Sequence, residues 1–91
     1  MNIDETLQER GRQYGKFVDV AKATVLIQEA VCDAMSPNKL QTLPAVHAIA
    51  IDMICHKLAR ICTGNIYYAD NWHDIAGYAQ LVADHLNGID R

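Results

Sequence analysis

Proline and glycine are scarce, with two prolines and five glycines in 91 residues. That excludes a sandwich or barrel, whose many short strands need many turns. Basic residues are not in excess: Lys and Arg number 8 against 11 Asp and Glu, a formal charge of -3. A dedicated nucleic-acid binder usually shows a basic stripe, so nucleic acid is an unlikely partner. A small anion in a local pocket stays open. Long hydrophobic runs are missing as well. The longest apolar stretch, Ala45 to Ile51, is broken by His47. A bilayer span needs about 18 apolar residues, so no membrane is expected. Met1 leads straight into Asn2, Ile3, Asp4 and Glu5, without the basic and then apolar segments of a secretory signal. The expected location is the cytoplasm. The three cysteines, Cys32, Cys55 and Cys62, form no CxxC pair. They read as reduced thiols in or near the core.

Apolar residues make up 51% and charged residues 21%, the balance of an ordinary globular chain. The length fits one helical domain over residues 1–91. Such a short chain buries only about 60–65% of its unfolded surface, so a partner subunit would help it.

The hydrophobic period is helical nearly throughout. A short first helix is expected from Asp4 to about Arg12, capped by Asp4 or Asn2. A second is expected from about Phe17 to Met35, with an apolar face of Phe17, Ala21, Val25, Ala30 or Leu26, and Val31. Ser36-Pro37-Asn38 stops it, because the residue before proline leaves the helical region. For the third helix Thr42 is the expected N-cap and Pro44 sits in the first turn. Its apolar set is Val46, Ala50, Met53, Ile54, the Lys57 stem, Leu58 and Ile61, with Gly64 as a left-handed stop. A fourth helix from about Trp72 to Asn87, capped by Asp70 or Asn71, carries Ile75, Tyr78 or Ala79, Val82 and Leu86. Small residues at Ala76, Gly77 and Ala79 allow a close crossing. The expected fold is all-α: a small bundle of three main helices plus a short N-terminal one. The second and third helices look apolar over more than one stripe, which predicts a homodimer or higher homo-oligomer.

Three groups of residues carry candidate chemistry. Asp52 and His56 lie four apart on the third helix and face the same way, a spacing that suits one metal ion. Asp70 and Asp74, also four apart, suit a hard cation such as Mg²⁺. If the last two helices fold back on each other, His56 and Asp74 meet across the link. The plainer reading makes Asp70 a cap, Asp74 a dipole-stabilised carboxylate or the partner of Lys57 or Arg60, and Asp52–His56 a surface pair. The third group is Arg10-Gly11-Arg12-Gln13-Tyr14-Gly15-Lys16-Phe17, a basic loop able to approach phosphate, with Tyr14 free to stack on a base. It is not a GxxxxGK[ST] loop. Its plainer reading is a helix corner with Tyr14 and Phe17 packed inward. Tyr67, Tyr68 and Trp72 line a pocket or cover the end of a small core. His47, His73 and His85 have no partner at ligand spacing.

Glu9-Arg10-Gly11-x-x-Tyr14-Gly15-x-Phe17, His56-Lys57-x-x-Arg60-Ile61-x-x-Gly64 and Tyr68-Ala69-Asp70-x-Trp72-x-Asp74-Ile75-Ala76-Gly77-Tyr78-Ala79-x-Leu81 run through most of the chain. This pattern resembles a family of small proteins of tailed phages and prophages. It is also similar to phage domains associated with nucleotide modification, and more distantly to all-α nucleotide pyrophosphohydrolases. Those enzymes hold Mg²⁺ with E-E-x-x-E and a later E-x-x-D on adjacent helices. Here the middle helix has only Asp52 and His56, and the late acids are Asp70 and Asp74.

The resemblance implies a phage accessory protein acting in the bacterial host cytoplasm. The reading expected to hold is binding of a nucleotide-like or phosphate-bearing ligand. Lys57 and Arg60, with Arg10 or Arg12, would meet the anion. Tyr14 and Trp72 would stack, and His56, Asp70 and Asp74 would hold a metal such as Mg²⁺ or orient the cations. The alternatives are a metal-dependent nucleotide pyrophosphohydrolase and a non-catalytic module that engages a host protein.

Overall fold

A computed structural model describes residues 2–91 of the chain. It is all-α: five helices and no strand occur among the described residues. Helix α1 spans Ile3–Tyr14, and the Asn2 side chain caps it by accepting from the Glu5 amide at 2.9 Å. Helix α2 spans Phe17–Ala34. Helix α3, Pro37–Thr42, is an element not expected from the sequence. Pro37 stops α2, yet it also starts α3 at the first helical position, where its missing N–H is harmless. Ser36 caps the new helix by accepting from the Lys39 amide at 3.2 Å. Thr42 therefore ends α3 and does not cap the next helix. Helix α4 spans Ala45–Thr63, with Pro44 at its N-cap. Helix α5 spans Ala69–Leu86, with Tyr68 at the cap position, so Asp70 lies in the first turn and is not the cap.

Helix α4 is the central element. It packs against α2 on one side and α5 on the other, while α2 and α5 do not pack on each other; α1 lies across α4 and the start of α2. The position of α4 explains why Ala50, Cys55, Lys57 and Ala59 are all buried on it. Small residues on a twice-covered helix let both neighbours approach closely. Burial pushes the Cys55 thiol pKa up, with Asp52 adding to the effect. Cys32 and Cys62, in contrast, are exposed.

The packed face of α2 differs from the expected one. Val20 is buried, with Ile27 and Val31 half-buried, whereas Phe17 is 82% and Leu26 66% exposed. Both stripes of α2 are apolar, so period alone does not choose between them, and only the docking onto α4 does. On α5 the expected close crossing at Gly77 is absent, since a Cβ there would meet nothing within 4 Å. Gly77→Ala should therefore raise stability by about 0.5–1 kcal/mol through helix propensity alone. A rise in melting temperature of about 4–8 °C per kcal/mol would report it, and a loss of stability would contradict the open environment.

Candidate functional site

The corner where α1 ends against the end of α4 is built from backbone. The Thr63 hydroxyl donates to the Tyr14 carbonyl at 2.6 Å, with the Ala59 carbonyl 3.0 Å away as a second acceptor. The Asn65 amide N–H donates to the Gln13 carbonyl at 2.8 Å, and the Asn65 side chain donates to Gln13 Oε1 at 3.2 Å. The last carbonyls of α1, which no helical N–H can reach, are thus satisfied by a segment some fifty residues away. Two glycines permit this. Gly15 has φ +90° and lies against the Thr63 carbonyl. Gly64 has φ −122°, so it is not the left-handed stop read from the sequence. It is required by contact instead, since a Cβ there would sit 2.2 Å from the Gln13 carbonyl oxygen and 2.5 Å from Tyr14 Cα.

This backbone clasp sets the side chains. The Arg60 guanidinium lies 3.9 Å from the centroid of the Tyr14 ring, at the distance of a cation–π contact. Tyr68 meets Tyr14 edge to face, with centroids 5.8 Å apart. Tyr14 thus holds Arg60 on one face and is not free to stack on a base there. The neighbouring Asp70 carboxylate raises the pKa of the Tyr68 phenol. Trp72 is about half exposed, at 53%, and its indole N–H donates to the Ile66 carbonyl at 3.4 Å. Its ring remains an open stacking surface.

Electrostatics separate the two cations of α4. Lys57 is 8% exposed and pairs with Asp74 across the α4–α5 interface, Nζ to Oδ2 at 3.2 Å. Arg60 has no carboxylate within 4.0 Å among the described residues, and its Nε is buried with no hydrogen-bond acceptor. His56 sits beside both. Burial, then Arg60, then Lys57 lower its pKa below the ordinary imidazole value.

The acids do not gather into a metal centre. Among the described residues no group of three or more His, Cys, Asp and Glu side chains is placed to hold a metal ion. Asp74 is committed to Lys57, and Asp52 lines a different depression. The expected set of His56, Asp70 and Asp74 is not assembled, and neither His56 with Asp52 nor Asp70 with Asp74 supplies a third ligand. Mg²⁺ finds no fitting donor set among the described residues. Arg12 pairs with Glu9 on α1 and so is occupied. His85 pairs with Asp90, and His73 is exposed.

A depression of about 220 Å³ lies elsewhere, between α2, α3 and the start of α4. Val31, Met35, Leu40, Leu43 and Ile51 line it, with Gln28 and Asp52 as its polar groups. None of Tyr14, Lys57, Arg60 and Trp72 reaches it. An apolar wall with one carboxylate repels phosphate, so the anion chemistry belongs to the Arg60 corner and not to this hollow.

Asn71 escapes the sequence reading, which offered it only as a cap. It is 1% exposed, and neither its amide nitrogen nor its oxygen has a partner. Leaving such groups unpaired is costly, about 1–3 kcal/mol each. The signal was present: the stripe Ile75, Tyr78 and Val82 continues one turn back to position 71, where the chain has a polar residue.

No family model matches this chain, and neither a curated protein nor a solved structure does.

Proposed function

We propose that the protein binds a small phosphate-bearing, nucleotide-like ligand at the α1–α4–α5 corner, with Arg60 as the anion contact. The observation that carries this reading is Arg60 itself. A planar cation seated 3.9 Å over the Tyr14 ring has its fork of donors restrained by that contact. Its charge is uncompensated by any neighbouring carboxylate, which is a poor arrangement for stability and a good one for receiving an anion. Trp72 supplies a ring face for a base, and Lys57, neutralised by Asp74, contributes positioning more than net charge. The resemblance of the motif blocks to small tailed-phage proteins supports a role as a phage accessory protein in the host cytoplasm. All three blocks contribute to the corner: Tyr14 and Gly15 from the first, Arg60 and Gly64 from the second, Tyr68 and Asp70 from the third. The failure of the acids to converge favours binding over metal-dependent hydrolysis.

The test uses His56 as a reporter. Inorganic pyrophosphate and a panel of nucleoside triphosphates, with and without Mg²⁺, are titrated while the His56 ring is followed by NMR. Burial is the first cause of the lowered His56 pKa and Arg60 the second; an anion at Arg60 offsets that second part, so the pKa should rise, and the response should vanish in Arg60→Gln. No shift at millimolar probe would overturn the reading. Divalent-dependent release of phosphate from the panel would replace it with the hydrolase alternative.

A further inference from the structure

We propose that the outward stripe of α2 is the contact surface of a two-fold homodimer. In it two α2 helices cross antiparallel about an axis near Val25 and Leu26, and Lys22 of each copy faces Glu29 of the other. The first observation is apolar exposure on the side of α2 turned away from α4. Val18, Val25 and Leu26 are 52%, 50% and 66% exposed. Val25 and Leu26 form, with Ala21, an open apolar surface that Lys22 and Glu29 also line.

The second observation is the order of charge along that stripe. Lys22 and Glu29 are two helical turns apart, so they lie on one face. Neither has an ion-pair partner within 4.0 Å in its own chain, among the described residues. Their midpoint falls between Val25 and Leu26. A two-fold axis there runs the helices antiparallel and sets each Lys22 opposite a Glu29, twice, around an apolar centre. Self-complementarity of this kind is what an isologous interface requires. A parallel pairing would instead set Lys22 against Lys22 and Glu29 against Glu29.

The third observation is surface area. The chain exposes 6568 Å². A compact monomer of 10.1 kDa exposes about 5,300 Å² by the usual mass scaling. The radius of gyration of 15.0 Å likewise exceeds the roughly 12 Å of a compact chain this long. The excess, about 1,300 Å², is more than the roughly 800 Å² per partner that a standard interface buries. A fold with α4 covered on both sides, and with α2 left bare on its outer side, lacks one layer. A second copy supplies it.

Sedimentation equilibrium at low salt tests this, because screening would weaken the charge pairs. At about 100 µM the chain is expected to sediment at twice 10.1 kDa. Lys22→Glu and Glu29→Lys should each weaken self-association at least about tenfold, since each turns two attractions into repulsions. An equimolar mixture of the two single variants should re-form a dimer, because one copy then carries only acid at these positions and the other only base. Leu26→Asp should dissociate it. Far-UV circular dichroism, expected to be unchanged in all variants, shows that the helices remain folded. A wild-type monomer at this concentration overturns the proposal. So does a dimer indifferent to all three substitutions, and so do single variants that dissociate but fail to pair on mixing.

Discussion

Gly64→Ala is expected to lower the free energy of unfolding by about 3 kcal/mol, at the upper end of what an added methyl group costs in a packed site. The added Cβ would sit 2.2 Å from the Gln13 carbonyl oxygen and 2.5 Å from both Tyr14 Cα and the Tyr14 carbonyl carbon. These are backbone atoms, so no side chain can swing aside. Relief requires α1 to move off α4, which breaks the Asn65 to Gln13 and Thr63 to Tyr14 hydrogen bonds. A domain of this length has only about 5–10 kcal/mol of total stability, so the loss is large. Gly11→Ala is the control, because a Cβ there meets nothing within 4 Å. It should be neutral or stabilising by up to about 1 kcal/mol. Urea titrations of the two variants give the comparison, and equal midpoints would show that α1 does not seat against Gly64. The same variant should weaken anion binding, since displacing Tyr14 removes the surface on which Arg60 rests.

The second large effect is an asymmetry within one ion pair. Asp74→Ala should cost about 2 kcal/mol, while Lys57→Met should fall within about 0.5 kcal/mol of wild type. The reason is unequal burial. The Lys57 side chain is 10% exposed and the Asp74 side chain 43%. Removing the aspartate strands an ammonium group beneath α5, where water reaches it poorly. Removing the lysine leaves a carboxylate already half in water, and methionine replaces the buried stem with a chain of similar volume. The cost sits below that of a fully buried pair because the exposed carboxylate is screened. Denaturant unfolding of both variants checks it, and the double variant should behave like Lys57→Met alone. If the two single variants lose equal amounts, the pair acts as a surface contact and Lys57 is not confined.

Burial also gives the site a pH signature. The His56 pKa is lowered, first by burial and then by Arg60 and Lys57. The folded chain therefore takes up this proton less readily than the unfolded chain. The imidazole contributes no penalty above its ordinary pKa, and its contribution becomes destabilising as the pH falls below that value toward the folded one. In wild type this adds to acid sensitivity below about pH 6.5. A bound anion should reduce that sensitivity, because it offsets the part of the shift that comes from Arg60 and Lys57.

Much of the fold was legible in order and type. The long helices of α2, α4 and α5 follow from a sustained 3.6-residue period, and their ends from Pro37, Gly64 and the 87–88 turn. Helix α3 was not, because six residues carry too little periodicity and Pro37 reads equally as a stop and a start. At the site, the spacing of Lys57 and Asp74 allowed their pairing without requiring it. The seating of Arg60 on Tyr14 joins residues more than forty positions apart and has no local signature. Asn71 carries a local signal, a polar residue at an apolar register position.

What the sequence by itself determined is therefore one-dimensional: that the long segments α2, α4 and α5 coil, and which helices are apolar on more than one side. Those properties depend on contacts within four residues along the chain, so local chemistry suffices. Tertiary structure alone decided which of the two apolar stripes of α2 meets α4, why Gly64 must lack a side chain, and which cation is left without a counter-charge. Each of these depends on atoms brought together by packing from distant positions, and only the docking of α1, α2 and α5 around α4 supplies that proximity.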